Sequence, residues 1–182
     1  MDLNQLTAIS PIDGRYRKQV QHLDEYFSEY ALIKYRVIVE IEYFLFLAEK
    51  KFFKVNAKTK QQLQKMADEF SIEDAVEIKK TEAITNHDVK AVEYFIKAGL
   101  DKCSPQSGIK EWVHFGLTSQ DINNTAIPLT LKLALHDIYL PLLHKVTARL
   151  NDLTGEWKDV PMLARTHGQP ASPTRLGKEI RV

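Results

Sequence analysis

Apolar and polar positions along this chain recur at helical spacing far more than at strand spacing. Tyr26 to Lys51 runs without Gly or Pro and is apolar around most of its circumference, which predicts a buried helix. Val37, Ile38, Val39 and Ile41 are β-branched, as in strands, but the run is far longer than a typical strand. Leu63, Met66, Ala67 and Phe70 sit at i, i+3, i+4 and i+7, the stripe of a short amphipathic helix. Ser71 with Asp74 has the spacing of a capping box opening the next helix, and Thr85 with Asp88 repeats it. Val89, Val92 and Ile96 continue an inward stripe, and Gly99 lies where a helix commonly turns left-handed and stops.

Beyond a short helical piece around Trp112 and a break at Gly116, Thr118 and Asp121 again offer N-cap and N3 partners. Leu131, Leu135, Ile138, Leu142, Val146, Leu150 and Leu153 then advance in steps of three and four, a stripe suited to bundle packing. Pro128 and Pro141 are expected to bend or interrupt it, because each lacks an amide donor and crowds the preceding turn. Lys158 to Ser172 reads as a loop containing Pro161, Gly168 and Pro170, with Ser172 and Pro173 as N-cap and N1 of a last helix.

The expected fold is therefore all-α: an N-terminal helical domain over 1–108, then the beginning of a long-helix bundle over 109–182, divided at the Cys103 to Gly108 punctuation. The long stripe has no later antiparallel partner of matching length. A C-terminal continuation or extensive self-association is expected to cover it. Composition narrows the function classes. The 182 residues are 44% apolar, with 25 basic against 24 acidic residues and a net charge of +1. That balance gives no broad basic face for nucleic acid or an anionic membrane, so neither is an expected partner.

The single cysteine, Cys103, forms no internal disulfide and fits a reducing, cytoplasmic setting. Met1 to Pro11 lacks the basic start and apolar stretch of a secretory signal. The apolar region Val37 to Ala48 is interrupted by Glu40 and Glu42, short of the roughly 20 apolar residues that span a bilayer.

Three segments concentrate functional groups at helix starts or in the late loop: Thr85-Asn86-His87-Asp88, Thr118-Ser119-Gln120-Asp121 and Arg165-Thr166-His167-Gly168-Gln169. Free amides and the positive end of a helix dipole favour carboxylate or phosphate there, and Thr118 and Ser119 add hydroxyl donors. Capping alone is the commoner role of such a Thr-Ser pair. His87 has the position of a hydrogen-bond donor or acid, with a local bond to Asp88 or to the turn as its structural alternative. His167, in a loop rich in Gly and Pro, is placed to exchange protons near neutral pH, with a merely solvated ring as the commoner role of a lone loop histidine. Arg15 and Tyr16 offer a guanidinium fork for phosphate and a phenol for neighbouring groups. His22, His114, His136 and His144 lack acidic or thiolate partners at metal-ligand spacing, and no glycine-rich phosphate loop occurs. No metal and no cofactor are expected.

Taken together, Asp13-Gly14-Arg15-Tyr16, Thr85 to Tyr94, Thr118 to Asn124 and Arg165 to Pro173, in that order and spacing, resemble the adenylosuccinate lyase family. The Thr-His-Gly-Gln-Pro segment sets the chain apart from fumarase-like and argininosuccinate-lyase-like relatives. The resemblance implies a mostly helical homotetramer of the aspartase/fumarase type, with active sites assembled from several subunits around a purine nucleotide. It implies a cofactor-free β-elimination that releases fumarate from adenylosuccinate, giving AMP, and from succinylaminoimidazolecarboxamide ribonucleotide. It assigns His167 as general acid with His87 in support. Arg15, Tyr16, Asn86, His87, Asp88, Thr118, Ser119, Thr166 and Gln169 are the implied substrate contacts.

One departure weighs on activity. The family's basic serine lies on a Gly-Ser-Ser-x-Met-Pro-x-Lys-x-Asn-Pro loop that this sequence does not contain, so the chain is expected to be an N-terminal portion, inactive alone. The competing expectations are a fumarate-producing lyase with another amine leaving group, and a non-catalytic helical assembly fragment.

Overall fold

The structure, a computed structural model, describes residue 6, residues 8–103 and residues 108–182. Ser104, Pro105 and Ser107, part of the expected boundary, lie outside the described residues. The chain forms two compact units, Met1–Lys132 and Leu133–Val182. The bounds differ from a division at 108 because Ile109 and Val113 are buried in the core of the first unit.

The first unit opens with short turns, α1 (Arg17–Val20) and α2 (Asp24–Phe27), joined by a 3-10 turn. Ser28 then interrupts the long helix expected from Tyr26: its side chain accepts the Ala31 amide and caps α3 (Glu29–Glu49). Nine side chains of α3 are buried, among them Val37, Ile41 and Phe44, so packing on nearly all sides outweighs the reluctance of β-branched residues to be helical. Asn56 caps α4 (Ala57–Asp68), whose Leu63 and Ala67 face the core as their spacing predicts. The Ser71–Asp74 capping box is formed in both directions at the start of α5 (Ile72–Thr85). The next helix, α6 (Asp88–Cys103), buries Val89, Val92 and Ile96, the last two in the apolar core that also holds residues of α3 and α4.

Gly99 does not end α6. It lies inside the helix, where an added Cβ would stand 2.7 Å from Met66 Sδ of α4; it permits a close helix contact and has no left-handed φ. A 3-10 turn, Ile109–Trp112, stacks the Trp112 ring on Phe53 at 5.3 Å. It leads to α7 (Ser119–Ala134), which passes through Pro128 without a break.

The second unit takes in the last two residues of α7, then a π turn, Leu135–Tyr139, and α8 (Leu140–Glu156). The π turn carries the distortion expected near Pro141, whose ring would clash with the carbonyl four residues earlier, inside that turn. Helix α8 has no buried residue, and Leu142, Val146 and Leu150 of the predicted stripe are exposed. The helical run Ser119–Glu156 is long and apolar enough to cross a membrane by length and composition alone. Lys132, His136, Asp137, Lys145, Arg149 and Asp152 interrupt it, and in α8 the charges and the stripe make an amphipathic helix.

The stretch read as a loop is instead an antiparallel ribbon, β1 (Pro161–Thr166) and β2 (Gln169–Arg175). The last helix, α9 (Leu176–Arg181), starts after Arg175, and Ser172 and Pro173 lie in β2 rather than at a helix start. The fold remains mostly helical, with this pair as the only sheet among the described residues. Gly177 fastens α9 to the end of α8: its amide donates to the Trp157 carbonyl at 3.0 Å. A Cβ there would meet Lys158 N at 2.8 Å and Lys158 Cα at 2.9 Å.

Backbone atoms cannot swing aside as side chains can, so Gly177→Ala is expected to lower stability by about 1–3 kcal/mol in thermal or urea unfolding. Gly155→Ala, in open space on α8, is expected to be neutral or stabilising by up to about 1 kcal/mol. Equal effects from the two would contradict this packing.

Candidate active site

The turn between α5 and α6 holds three of the expected site residues. Asn86 ends α5 in the left-handed region, at φ 52°, a conformation its short polar side chain tolerates. His87 then caps α6: the His87 carbonyl accepts the Ala91 amide at 3.1 Å, and its Nδ1 accepts the Lys90 amide at 3.2 Å. The cap is thus His87, where the spacing had pointed to Thr85. Thr85 Oγ1 instead receives the His87 amide at 3.4 Å. With Nδ1 as the acceptor, a neutral His87 ring carries its proton on Nε2.

The turn before α7 meets it. Asp121 Oδ2 accepts both the Thr118 amide at 2.7 Å and the Thr118 hydroxyl at 2.9 Å, forming the predicted Thr118–Asp121 pairing. Those two bonds hold the Asp121 carboxyl below its usual range. The Thr118 hydroxyl is spent on that carboxylate. Ser119 Oγ is directed elsewhere, 3.5 Å from His87 Nε2, at the long limit of a hydrogen bond. The positive ends of α6 and α7 therefore come together at the His87–Ser119 contact, an arrangement that favours an anion.

Beneath the two turns lies a set of buried charges that spacing alone did not reveal. Arg36 of α3 is 5% exposed; its Nη2 donates to Asp88 Oδ2 at 2.7 Å and its Nε to Asn123 Oδ1 of α7 at 2.9 Å. One turn along α3, Glu40 is fully buried, with Oε1 bonded to His114 Nδ1 and Oε2 without a hydrogen-bond partner among the described residues. His114, which has no acidic partner at metal-ligand spacing in the sequence, thus meets a distant one, and no cluster of metal-binding side chains occurs among the described residues. Glu93 is tied to Lys90 at 2.7 Å and Lys97 at 2.9 Å.

These environments move protons in opposite directions. Burial pushes the Glu40 carboxyl up, only partly offset by His114. Burial acts the same way on Asp88, yet the Val89 amide and Arg36 outweigh it and hold the carboxyl below its usual range. Glu93 is likewise lowered, by Lys90 and Lys97 against the effect of burial.

Arg15 and Tyr16 are exposed beside a depression lined by Ala8 to Pro11 and Gly14, with the guanidinium 5.5 Å from the Tyr16 ring centroid. That depression does not include the His87 or Ser119 turns.

Thr166, His167 and Gln169 belong to the second unit. Thr166 pairs with Gln169, and His167 (φ 50°) and Gly168 (φ 75°) form the two-residue connection between the strands. Two successive left-handed residues match the right-handed twist of a ribbon, and histidine enters this region more readily than bulkier residues. His167 is exposed at the tip.

A pH test addresses Glu40. A folded-state carboxyl raised above its unfolded value contributes stability that is present below the unfolded value and lost as pH rises through the folded one. Glu40→Gln is therefore expected to gain melting temperature relative to the parent as pH increases from roughly 4 to roughly 7. A difference that does not change with pH would exclude a raised Glu40.

Comparison with known proteins places these features. The lyase family profile matches residues 14–182. Adenylosuccinate lyase of Dictyostelium discoideum is 52% identical over 189 aligned residues, spanning 100% of this chain and 41% of that protein. Adenylosuccinate lyase of Vibrio cholerae is 45% identical, spanning 99% of this chain and 40% of that protein. The chain thus spans about two fifths of the length of these relatives. Among solved structures, fumarate lyase from a Mesorhizobium species has a TM-score of 0.69 at 22% identity, over 88% of this chain and 36% of that one. The β-carboxy-cis,cis-muconate cycloisomerase of Acinetobacter calcoaceticus has a TM-score of 0.65 at 20% identity, over 90% of this chain and 36% of that one. These two share the fold. With the profile running from Gly14 through both helix-start turns and the His167 ribbon, the chain belongs to the lyase family.

Proposed function

We propose that this chain is the portion of an adenylosuccinate lyase that supplies the acid and most of the substrate contacts. The observation that carries the reading is the 52% identity to a protein of that name over a match that spans the entire chain. The meeting of two helix N-termini at His87 and Ser119 supports it, since the substrate is a dicarboxylate nucleotide.

In such a β-elimination, a base takes the proton beside a carboxylate, and the electron pair left behind forms the double bond of fumarate. The C–N bond breaks, and the departing purine nitrogen takes up a proton. Negative charge builds on the carboxylate as the proton leaves, where fixed donors stabilise it. Ser119 and the amides of the Thr118 turn would hold that carboxylate, with His87, Asn86 and Asp88 shaping the same wall. Arg15 and Tyr16 would meet the phosphate. His167 would deliver the proton to nitrogen, flanked by Thr166 and Gln169. The base belongs to the serine loop that this sequence lacks.

The same reading makes the protein a cytoplasmic homotetramer whose subunits pool their turns into shared sites. The exposed stripe on α8 supports self-association, since an apolar row of that length is costly to leave in water.

Release of fumarate from adenylosuccinate by the full-length protein tests the reading; activity only with another amine-bearing succinate would overturn it. His167→Asn keeps a residue that tolerates the left-handed turn while removing the ionisable ring. It is expected to lower kcat by about 10²–10⁴-fold with little change in melting temperature. Parallel loss of stability and turnover would count against an acid role.

A further inference from the structure

The hydrogen bond between the two substrate turns, His87 Nε2 to Ser119 Oγ at 3.5 Å, is too long to fix their separation. Arg36 provides a firmer link immediately beneath. Its Nε and Nη2 lie on one edge of the planar guanidinium, and each donates to a different turn: Nη2 to Asp88, next to His87, and Nε to Asn123, one helical turn beyond Ser119. We propose that Arg36 is a positioning residue that clamps the α5–α6 turn to the start of α7 and so sets the His87–Ser119 spacing.

Three features of the site favour the clamp over a simple ion pair. A buried guanidinium must keep its acceptors, because removing either leaves donors unpaired away from water. The parallel N–H bonds on one edge fix both partners in a single plane, which a lysine ammonium cannot do. Arg36 also projects from α3, the helix with the most buried side chains, so the clamp is anchored in the core and not on a surface element.

The inference rests on the proposed lyase reading for its catalytic consequence, but not for its geometry. In the full-length protein, Arg36→Lys keeps charge and approximate length but loses the shared edge; it is expected to reduce kcat/KM for adenylosuccinate by about 10–100-fold. Asn123→Ala is expected to do the same, and the double variant to lose little more than either alone. Ile41→Ala, a fully buried α3 residue with no part in either turn, serves as control: lower melting temperature, near-parental kcat/KM.

Nitrogen-detected NMR of the His87 ring gives a readout independent of turnover. Arg36→Lys is expected to mix the two ring tautomers, and Ile41→Ala to leave one. Parental kcat/KM in Arg36→Lys, additive losses in the double variant, or an unchanged His87 signal would overturn the clamp. If the parent releases no fumarate from adenylosuccinate, the lyase reading fails, and the His87 signal alone decides the clamp.

Discussion

A guanidinium removed from water has to be met by acceptors wherever the chain folds, and in this protein those acceptors come from segments far from α3 in sequence. Arg36 reaches Asp88 and Asn123, while Glu40, one turn away, reaches His114. Meeting both demands brings the ends of three elements to one side of α3: the α5–α6 turn, the approach to α7 and α7 itself. Apolar packing around Val37, Ile41 and Phe44 secures the helix, but apolar contacts are tolerant of small shifts. Charged hydrogen bonds are directional, and they align the polar turns with one another.

The chain repeatedly uses residues in left-handed backbone where its candidate chemistry lies. Asn86, His114 and His167 all have positive φ, and two of them are histidines. At Asn86 the conformation stops one helix so that the next can start with His87 as its cap. At His114 it turns the chain between Trp112 and α7 while the ring reaches Glu40. At His167 it closes a strand ribbon. Sparsely populated backbone persists where surrounding structure over-determines it, and here capping, a buried carboxyl–imidazole hydrogen bond and strand pairing do so in turn.

Much of the local structure was legible because its cause lies within four residues. The Ser71–Asp74 box, the Thr118–Asp121 pairing and the Leu63–Ala67 stripe form as their spacing predicts. What the sequence concealed depends on distant partners. Glu40 looked like an interruption in an apolar run, because its partner His114 is 74 positions away; Arg36 and Asn123 are 87 apart. Gly99 looked like a helix stop, since nothing nearby announces that Met66 of another helix packs over it. The ribbon was hidden by its prolines, which normally argue against strands and are tolerated here because each strand has a partner on one side only. His167-Gly168 was the available turn signal, weaker than the usual Asn-Gly.

Those prolines have a consequence for the ribbon itself. Leu163 pairs with Pro173 and Arg165 with Pro170, so β2 advances three residues while β1 advances two. The extra residue resets the alternation of β2, and Pro170 and Pro173 offer no amide donor at either margin, the outer one included. A stray extended peptide approaching that margin finds missing donors where a ladder would need them. A solitary two-stranded element, otherwise an open template for aggregation, is thereby shielded against growth into a fibril.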